Sequence, residues 1–219
     1  MLIQGQVGAP QQGMSTGATP AIRQGSLGDA IVSELHGRYF EQAYRRNFYS
    51  GAIAGATGVT ATALGVITAT AYTGLVLYNP PNSQVVCALQ RVGWALPIAP
   101  SAASVVSLGQ FYSPGVPYTT TAITTRNNYI QGPAPTAQLF SVATFGISTT
   151  APVSTTPTHT LGWVGTVAAS STNNIINNTD FEGSVVIPPG GGVCIYLSTV
   201  AQTNGFFGSM SWEEVPIVY

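Results

Sequence analysis

Between Asn47 and Thr179 the chain carries only two formal charges, Arg91 and Arg126, and the 219-residue sequence contains no lysine. Charged side chains make up 6% of it, against roughly 25% in an ordinary soluble domain. The missing types are those from which exposed helix faces are built, because Glu, Lys and Arg combine helix propensity with solubility. Thr, Val, Tyr and Gly take their place, with Pro and Asn at connections, and these are the residues of strands and turns. Hydrophobic residues at 45% suffice to fill a core, so most of the chain is expected to fold. The expectation is an all-β protein. Charge normally keeps a monomer soluble and apart from others, so its neighbours are expected to be either lipid or other protein.

Lipid is the less favoured of the two. The uncharged stretch AIAGATGVTATALGVITATAYTGLVLY, residues 52–78, is long enough to cross a bilayer as a helix. Gly55, Gly58, Gly65 and Gly74 interrupt it, and six threonines dilute its hydrophobicity. Val59, Ala61 and Ala63 alternate with Thr60 and Thr62, then Ile67, Ala69 and Ala71 with Thr68 and Thr70. A period of two belongs to a half-buried strand. No basic cluster flanks the stretch to set an orientation. An outer-membrane barrel would need even segments of about ten residues with aromatic girdles, whereas Pro-rich loops here separate uneven ones. No membrane partner is expected.

Turn signals divide the rest. Asn79-Pro80-Pro81-Asn82-Ser83, Pro114-Gly115, Gly132-Pro133-Ala134-Pro135, Pro152 to Pro157 and Pro188-Pro189-Gly190-Gly191-Gly192 separate strand-like runs, because proline cannot donate to a ladder. The runs are Val59–Ala63, Ile67–Tyr78, Gln84–Pro97, Ser104–Tyr112, Tyr118–Thr125, Gln138–Ile147, His159–Ala168, Phe181–Ile187, Val193–Val200 and Phe206–Val215. Eight to ten strands so spaced suit a jelly-roll-like β-sandwich over residues 51–219. Ahead of it, residues 1–25 are rich in Gln, Gly and Pro and read as an extended or disordered arm. Residues 26–50 hold the charge and the aromatics. Leu27, Ile31, Leu35, Phe40, Tyr44 and Phe48 recur at steps near four, as in an amphipathic helix, although Gly37 interrupts the run and Tyr39-Phe40 would equally suit a strand edge.

The sequence offers little for catalysis. Without lysine there is no P-loop and no Schiff-base site, and no G-x-S-x-G elbow occurs. His36 and His159 are far apart, and no metal-ligand spacing involves them or Cys87 and Cys194. The cysteines sit in apolar runs, VVCAL and GVCIYL, where buried thiols are expected, a disulfide between neighbouring strands being the alternative. Asp180 and Glu182 lie two apart and would share a strand face, but a glycosidase site would need more charges and aromatics around them. The bland reading of Asp180, Glu182, Glu213 and Glu214 is that they balance arginines near the ends of the domain. Trp94, Trp163 and Trp212 lie in strand-like runs and are expected in the core or an interface, with glycan stacking as the rival. Arg45-Arg46 is the only basic pair, too little for nucleic acid. Neither an enzyme nor a cofactor is expected.

Three stretches carry a resemblance: SELHGRYFEQAYRRNFYSG from Ser33, YTGLVLYNPP from Tyr72, and DFEGSVVIPPGGGVCIYL from Asp180 with the closing SWEEVPI. In this order they resemble virion structural proteins of tailed bacteriophages, in particular the small head cement or decoration proteins. The resemblance spans most of residues 22–217 and contains no catalytic motif. It implies a β-sandwich on the capsid surface of the virion, acting as a homotrimer across junctions of the major capsid protein, with an N-terminal arm or helix reaching the shell. Arg and Tyr are enriched at interface hot spots, so Arg23, Arg38, Tyr39, Phe40, Tyr44, Arg45 and Arg46 are expected to face the partner. The alternative is a tail receptor-binding module that recognises host glycans.

Overall fold

A computed structural model describes residues 5–6, 22–23, 38–53, 58–61, 72–98, 102–112, 119–144, 157–165, 172–198 and 202–217. The chain forms two compact units, Met1–Phe40 and Glu41–Tyr219. In the first, β1 (Gly5–Gln6) and β2 (Ile22–Arg23) pair in parallel, Gly5 opposite Ile22 and Gln6 opposite Arg23. The rest of the expected arm, residues 1–4, 7–21 and 24–25, lies outside the described residues.

The second unit is a sandwich. A short helix, α1 (Phe40–Tyr44), leads to β3 (Phe48–Ala52), β4 (Val59–Ala61), β5 (Tyr72–Tyr78), β6 (Val85–Ile98) and β7 (Ser104–Tyr112). Then come β8 (Thr119–Ala122), β9 (Thr125–Asn127), β10 (Gln138–Thr144), β11 (His159–Val164), β12 (Thr172–Ile187), β13 (Gly191–Leu197) and β14 (Gln202–Pro216). One sheet runs β12-β6-β14-β3-β9, with β4 on β14, and the other runs β11-β7-β13-β5-β10-β8.

The pairing is nested and antiparallel: β3 with β14, β5 with β13, β6 with β12, β7 with β11. Successive pairs alternate between the two sheets, as when one long hairpin is rolled up. That is the jelly roll expected from the strand count and turn spacing. Strands β8 to β10 are an excursion at the tip of that hairpin, and they extend both sheets.

Alternation along the strands sends Leu75, Leu77, Leu89, Trp94, Val106, Leu108, Val193, Ile195, Phe206 and Trp212 into one buried cluster between the sheets. The β5–β13 sheet is also apolar on its other face, where Val76, Tyr78, Phe111, Phe140, Cys194 and Tyr196 form a second buried cluster. Two buried faces account for continuous apolar runs such as GLVLY and GVCIYL in place of clean alternation. Close packing there depends on glycine. A Cβ on Gly192 would lie 2.3 Å from the Phe111 ring, and one on Gly109 would lie 2.5 Å from that of Tyr196.

Two turn clusters of the sequence are tied together by Asn79. Its Nδ2 donates to Val85 O at 2.8 Å and Ile187 O at 3.1 Å, and its backbone exchanges hydrogen bonds with Gly190 and Gly191. The loop after β5 is thereby locked to the Pro-Pro-Gly turn between β12 and β13. Cys87 and Cys194 are buried free thiols. Burial, with the charge of Glu214 added, pushes the Cys87 thiol far up, and burial pushes Cys194 up to about 12.

Several boundaries differ from the expectation. Within the described part of the stepped run ending at Phe48 the helix spans Phe40–Tyr44, and β3 opens at Phe48, before the expected sandwich boundary. Pairing of Phe48–Ala52 with β14 outweighs local helical spacing. The run Tyr118–Thr125 splits into two strands that join different sheets. β12 begins at Thr172, nine residues ahead of the expected Phe181. Residues 26–37, 62–71, 145–147 and 166–168, over which other expectations ran, lie outside the described residues. Among the described residues no helix is long and apolar enough to cross a membrane.

Candidate docking surface

Helix α1 ends in a geometry that determines where its arginines go. Arg46 N donates to Ala43 O at 3.0 Å and Asn47 N to Gln42 O at 3.2 Å, the paired bonds of a Schellman cap. The left-handed residue of such a cap is usually glycine. Here it is Arg46, at φ 65°. A non-glycine residue in that conformation costs about 1–2 kcal/mol, and such strain concentrates where a side chain is needed for function. The guanidinium of Arg46 lies over the Tyr129 ring, 4.6 Å from its centroid, a cation–π contact.

Tyr129 belongs to the loop between β9 and β10, which is closely held. Asn128 N donates to Phe48 O at 2.9 Å, and Ser50 Oγ to Asn128 Oδ1 at 2.8 Å. Asn127 Nδ2 donates to Arg46 O at 2.7 Å and to Pro133 O at 3.2 Å, while Asn127 Oδ1 accepts from Tyr129 N at 2.8 Å. Tyr49 adds a hydroxyl bond to Arg46 O at 3.1 Å. Gly132 N closes a turn on Tyr129 O at 2.8 Å, with Gln131 left-handed at φ 66°. Two of the three non-glycine residues with positive φ among those described therefore meet in this corner.

The far end of the loop rests on a buried carboxylate. Glu214 Oε1 accepts from Ala137 N at 2.8 Å and Trp212 Nε1 at 3.3 Å, and Oε2 accepts from Thr136 N at 3.0 Å. Burial, then the Glu214 charge, pushes the Tyr49 phenol above its ordinary value. Of the four acids read from the sequence as balancing arginines near the ends of the domain, Glu214 is turned inward by alternation along β14 behind Met210 and Trp212, where its partners are N–H donors. Glu213 points the other way and accepts from Asn47 Nδ2 at 3.0 Å. Asp180 pairs with Arg91 at 2.8 Å on the surface. Glu182 sits at φ 53° in a bulge of β12 that shifts the register between Asp180 and Val185.

Of the residues expected to face a partner, Tyr44, Arg45 and Arg46 are all exposed beside this loop, Tyr44 by 64%. Arg38, Tyr39 and Phe40 belong to the first unit, with the Arg38 guanidinium 6.0 Å from the Tyr39 ring centroid and Phe40 exposed. Arg23 lies in β2. The sequence reading missed Tyr129 and Ile130. Their one signal was an aromatic and an aliphatic residue in the middle of a turn, in RNNYIQGPAP.

The remaining candidates sort by burial. Trp94 and Trp212 are core residues, whereas Trp163 on the edge strand β11 is 66% exposed and so is not in the core. His159, at the start of β11, packs edge-on to Phe181 with centroids 5.2 Å apart, and its Nδ1 lies 3.2 Å from Thr158 Oγ1. An apolar cleft of about 320 Å³ lies between the end of β7 and the β12–β13 turn, lined by Phe111, Tyr112, Val185, Ile187 and Pro188. No acid, histidine or cysteine lines it. Among the described residues no three His, Cys, Asp or Glu side chains gather as metal ligands. Comparison with protein-family models, curated proteins and solved structures gives no match.

Proposed function

We propose that this chain is a structural adhesion protein of a virus particle, a cement protein of the capsid surface that bridges neighbouring subunits of the major capsid protein. The observation that carries the reading is the corner at which Arg46, in a backbone conformation suited to glycine, stacks on Tyr129 beside exposed Tyr44 and Arg45. Rigid aromatics lose little entropy on binding, an arginine already stacked on a ring has less left to lose than a free one, and both types are enriched at interface hot spots. The body behind this corner is almost uncharged, so many copies can stand close together without mutual repulsion. We read the assembling unit as a homotrimer, as the resemblance implies. The mechanism is mass action: a protein that binds only assembled shell stabilises that shell. No nucleic acid, membrane or cofactor enters it.

The test is co-sedimentation of full-length protein with capsids assembled without it, comparing wild type with the double variant Arg45→Glu, Arg46→Glu. Saturable binding by wild type and its loss in the variant are expected. Equal binding by both would remove this corner from the interface, and absence of wild-type binding would remove the cement reading.

One observation favours a second reading, a glycan-binding module of the tail. Exposed Trp163 is the kind of flat apolar platform on which sugars stack. A glycan array probed with wild type and Trp163→Ala distinguishes the readings, since specific binding lost in the variant would support a tail receptor-binding role.

A further inference from the structure

The tip of the docking loop is an isoleucine. Ile130 occupies the second position of the Tyr129–Gly132 turn and is 86% exposed, the highest value among the exposed large hydrophobic residues described. That position suits Pro and most polar residues, and a β-branched apolar side chain gains nothing there from the turn itself. The turn is also unusually well anchored. Asn127 and Asn128 hold its first strand-side residues, Arg46 covers Tyr129, and the Glu214 carboxylate grips Thr136 and Ala137 on the return. With the loop backbone held by these bonds, what Ile130 has left to lose on binding is chiefly its side-chain freedom.

From this we infer that Ile130 is a knob that enters an apolar socket on the protein partner, with Tyr129 and the Arg46 guanidinium stacked on it at its rim. The socket should be edged by hydrogen-bond acceptors, carboxylates or main-chain carbonyls, because guanidinium groups only donate. Acids are present at this end as well, but Glu214 is buried and Glu213 accepts from Asn47. A protein socket fits the surface better than a bilayer does. Membrane-surface binding relies on a broad apolar face with several basic residues, whereas this loop offers one large aliphatic side chain, the small Pro133 and Ala134 further along, and an aromatic ring covered by Arg46.

This inference rests on the reading of the corner as the capsid-facing end, and its test separates the two. Full-length wild type, Ile130→Asp, Ile130→Leu and Val186→Asp are titrated onto capsids assembled without the protein. Val186 is an exposed apolar residue on β12, at the opposite edge of the sheet from β9. The expected result is a loss of affinity of about tenfold or more for Ile130→Asp, as for a buried interface anchor, with Ile130→Leu and Val186→Asp near wild type. If Ile130→Asp binds like wild type, the knob is wrong and the cement reading stands. If wild type itself does not bind, both fall. Binding instead to vesicles of equal phosphatidylglycerol and phosphatidylcholine, lost in Ile130→Asp, would overturn the protein socket in favour of lipid.

Discussion

Replacing Glu214 with alanine should cost the sandwich a large share of its stability, although Glu214 touches no ligand. Its carboxylate accepts three hydrogen bonds, from Ala137 N, Thr136 N and Trp212 Nε1. In Glu214→Ala the Ala137 amide and the indole N–H stay buried without an acceptor, at about 1–3 kcal/mol each, while the partly buried Thr136 amide can reach water. Relief from burying a charge returns part of this. A net loss of about 3–4 kcal/mol follows, against about 5–15 kcal/mol for a whole domain. At about 2–4 °C per kcal/mol for a chain of this size, the melting temperature should fall by about 10 °C. Glu214→Gln keeps one accepting oxygen but turns an amide donor toward a backbone N–H, so its loss should be intermediate. Glu213→Ala removes one bond from the opposite face of β14 and should stay within about 1 kcal/mol. Urea unfolding supplies the free energies, and hydrogen exchange should speed up at Thr136 and Ala137. A Glu214→Ala protein melting within about 2 °C of wild type would refute the account of the carboxylate as the anchor of β14 to the docking loop.

Other outcomes follow from the same geometry. Asn79→Ala should cost about 1–2 kcal/mol in urea unfolding, since Ile187 O loses the Asn79 donor while Val85 O keeps only the longer bond from Ser83 Oγ at 3.3 Å. Gly192→Ala should destabilise far more than Gly183→Ala: a Cβ on Gly192 meets the Phe111 ring at 2.3 Å and Leu77 O at 2.8 Å, whereas on Gly183 it meets nothing closer than 3.5 Å and only the φ of 79° is strained. Arg46→Gly should melt no more than about 1 kcal/mol below wild type, because relief at φ 65° offsets the lost ring contact, yet it should bind capsids more weakly. Stability should also fall in alkali. The folded state holds the Cys194 proton up to about 12, against 9.0 for the free thiol, and burial raises the Tyr72 phenol well above 10.0. The unfolded chain therefore releases these protons first, so stability is whole below pH 9 and is lost as pH rises toward about 12. Urea midpoints across that range should show a shallower decline in Cys194→Ala.

Much of the fold was legible because its signals are local. The run Ser104–Tyr112 is bounded in the structure as in the sequence, and the Pro-Pro-Gly and Asn-Pro-Pro clusters are turns. What stayed hidden depends on partners distant in sequence. The first half of β12, TNNIINNTD, has poor strand propensity, and only its pairing with β6 makes it a strand. Phe48–Ser50 reads as the end of a helical or mixed run until β14 lies beside it. The docking surface divides in the same way. Tyr44, Arg45 and Arg46 stand out as a charged, aromatic cluster in the chain itself. Tyr129 and Ile130 join them only because β9 pairs with β3, Tyr49 opposite Asn127, and no local pattern carries that contact.

The scarcity of charge becomes more specific once the remaining charges are placed. Arg91 is committed to Asp180, Glu213 to Asn47, Glu214 to three donors in the interior, and Arg46 to the face of Tyr129. Solubility would be served as well by charges scattered over the surface, and these are not scattered. Three of the four settle the relation of α1, β14 and the β9–β10 loop at one corner of the jelly roll. Removing a charge elsewhere, as in Arg91→Ala with its exposed partner, should therefore change stability by no more than about 1 kcal/mol. At the corner, the same kind of substitution should loosen the support of Ile130. Of thirteen charged side chains the chain thus uses three, Arg46, Glu213 and Glu214, to brace the corner from which the loop carrying Ile130 projects.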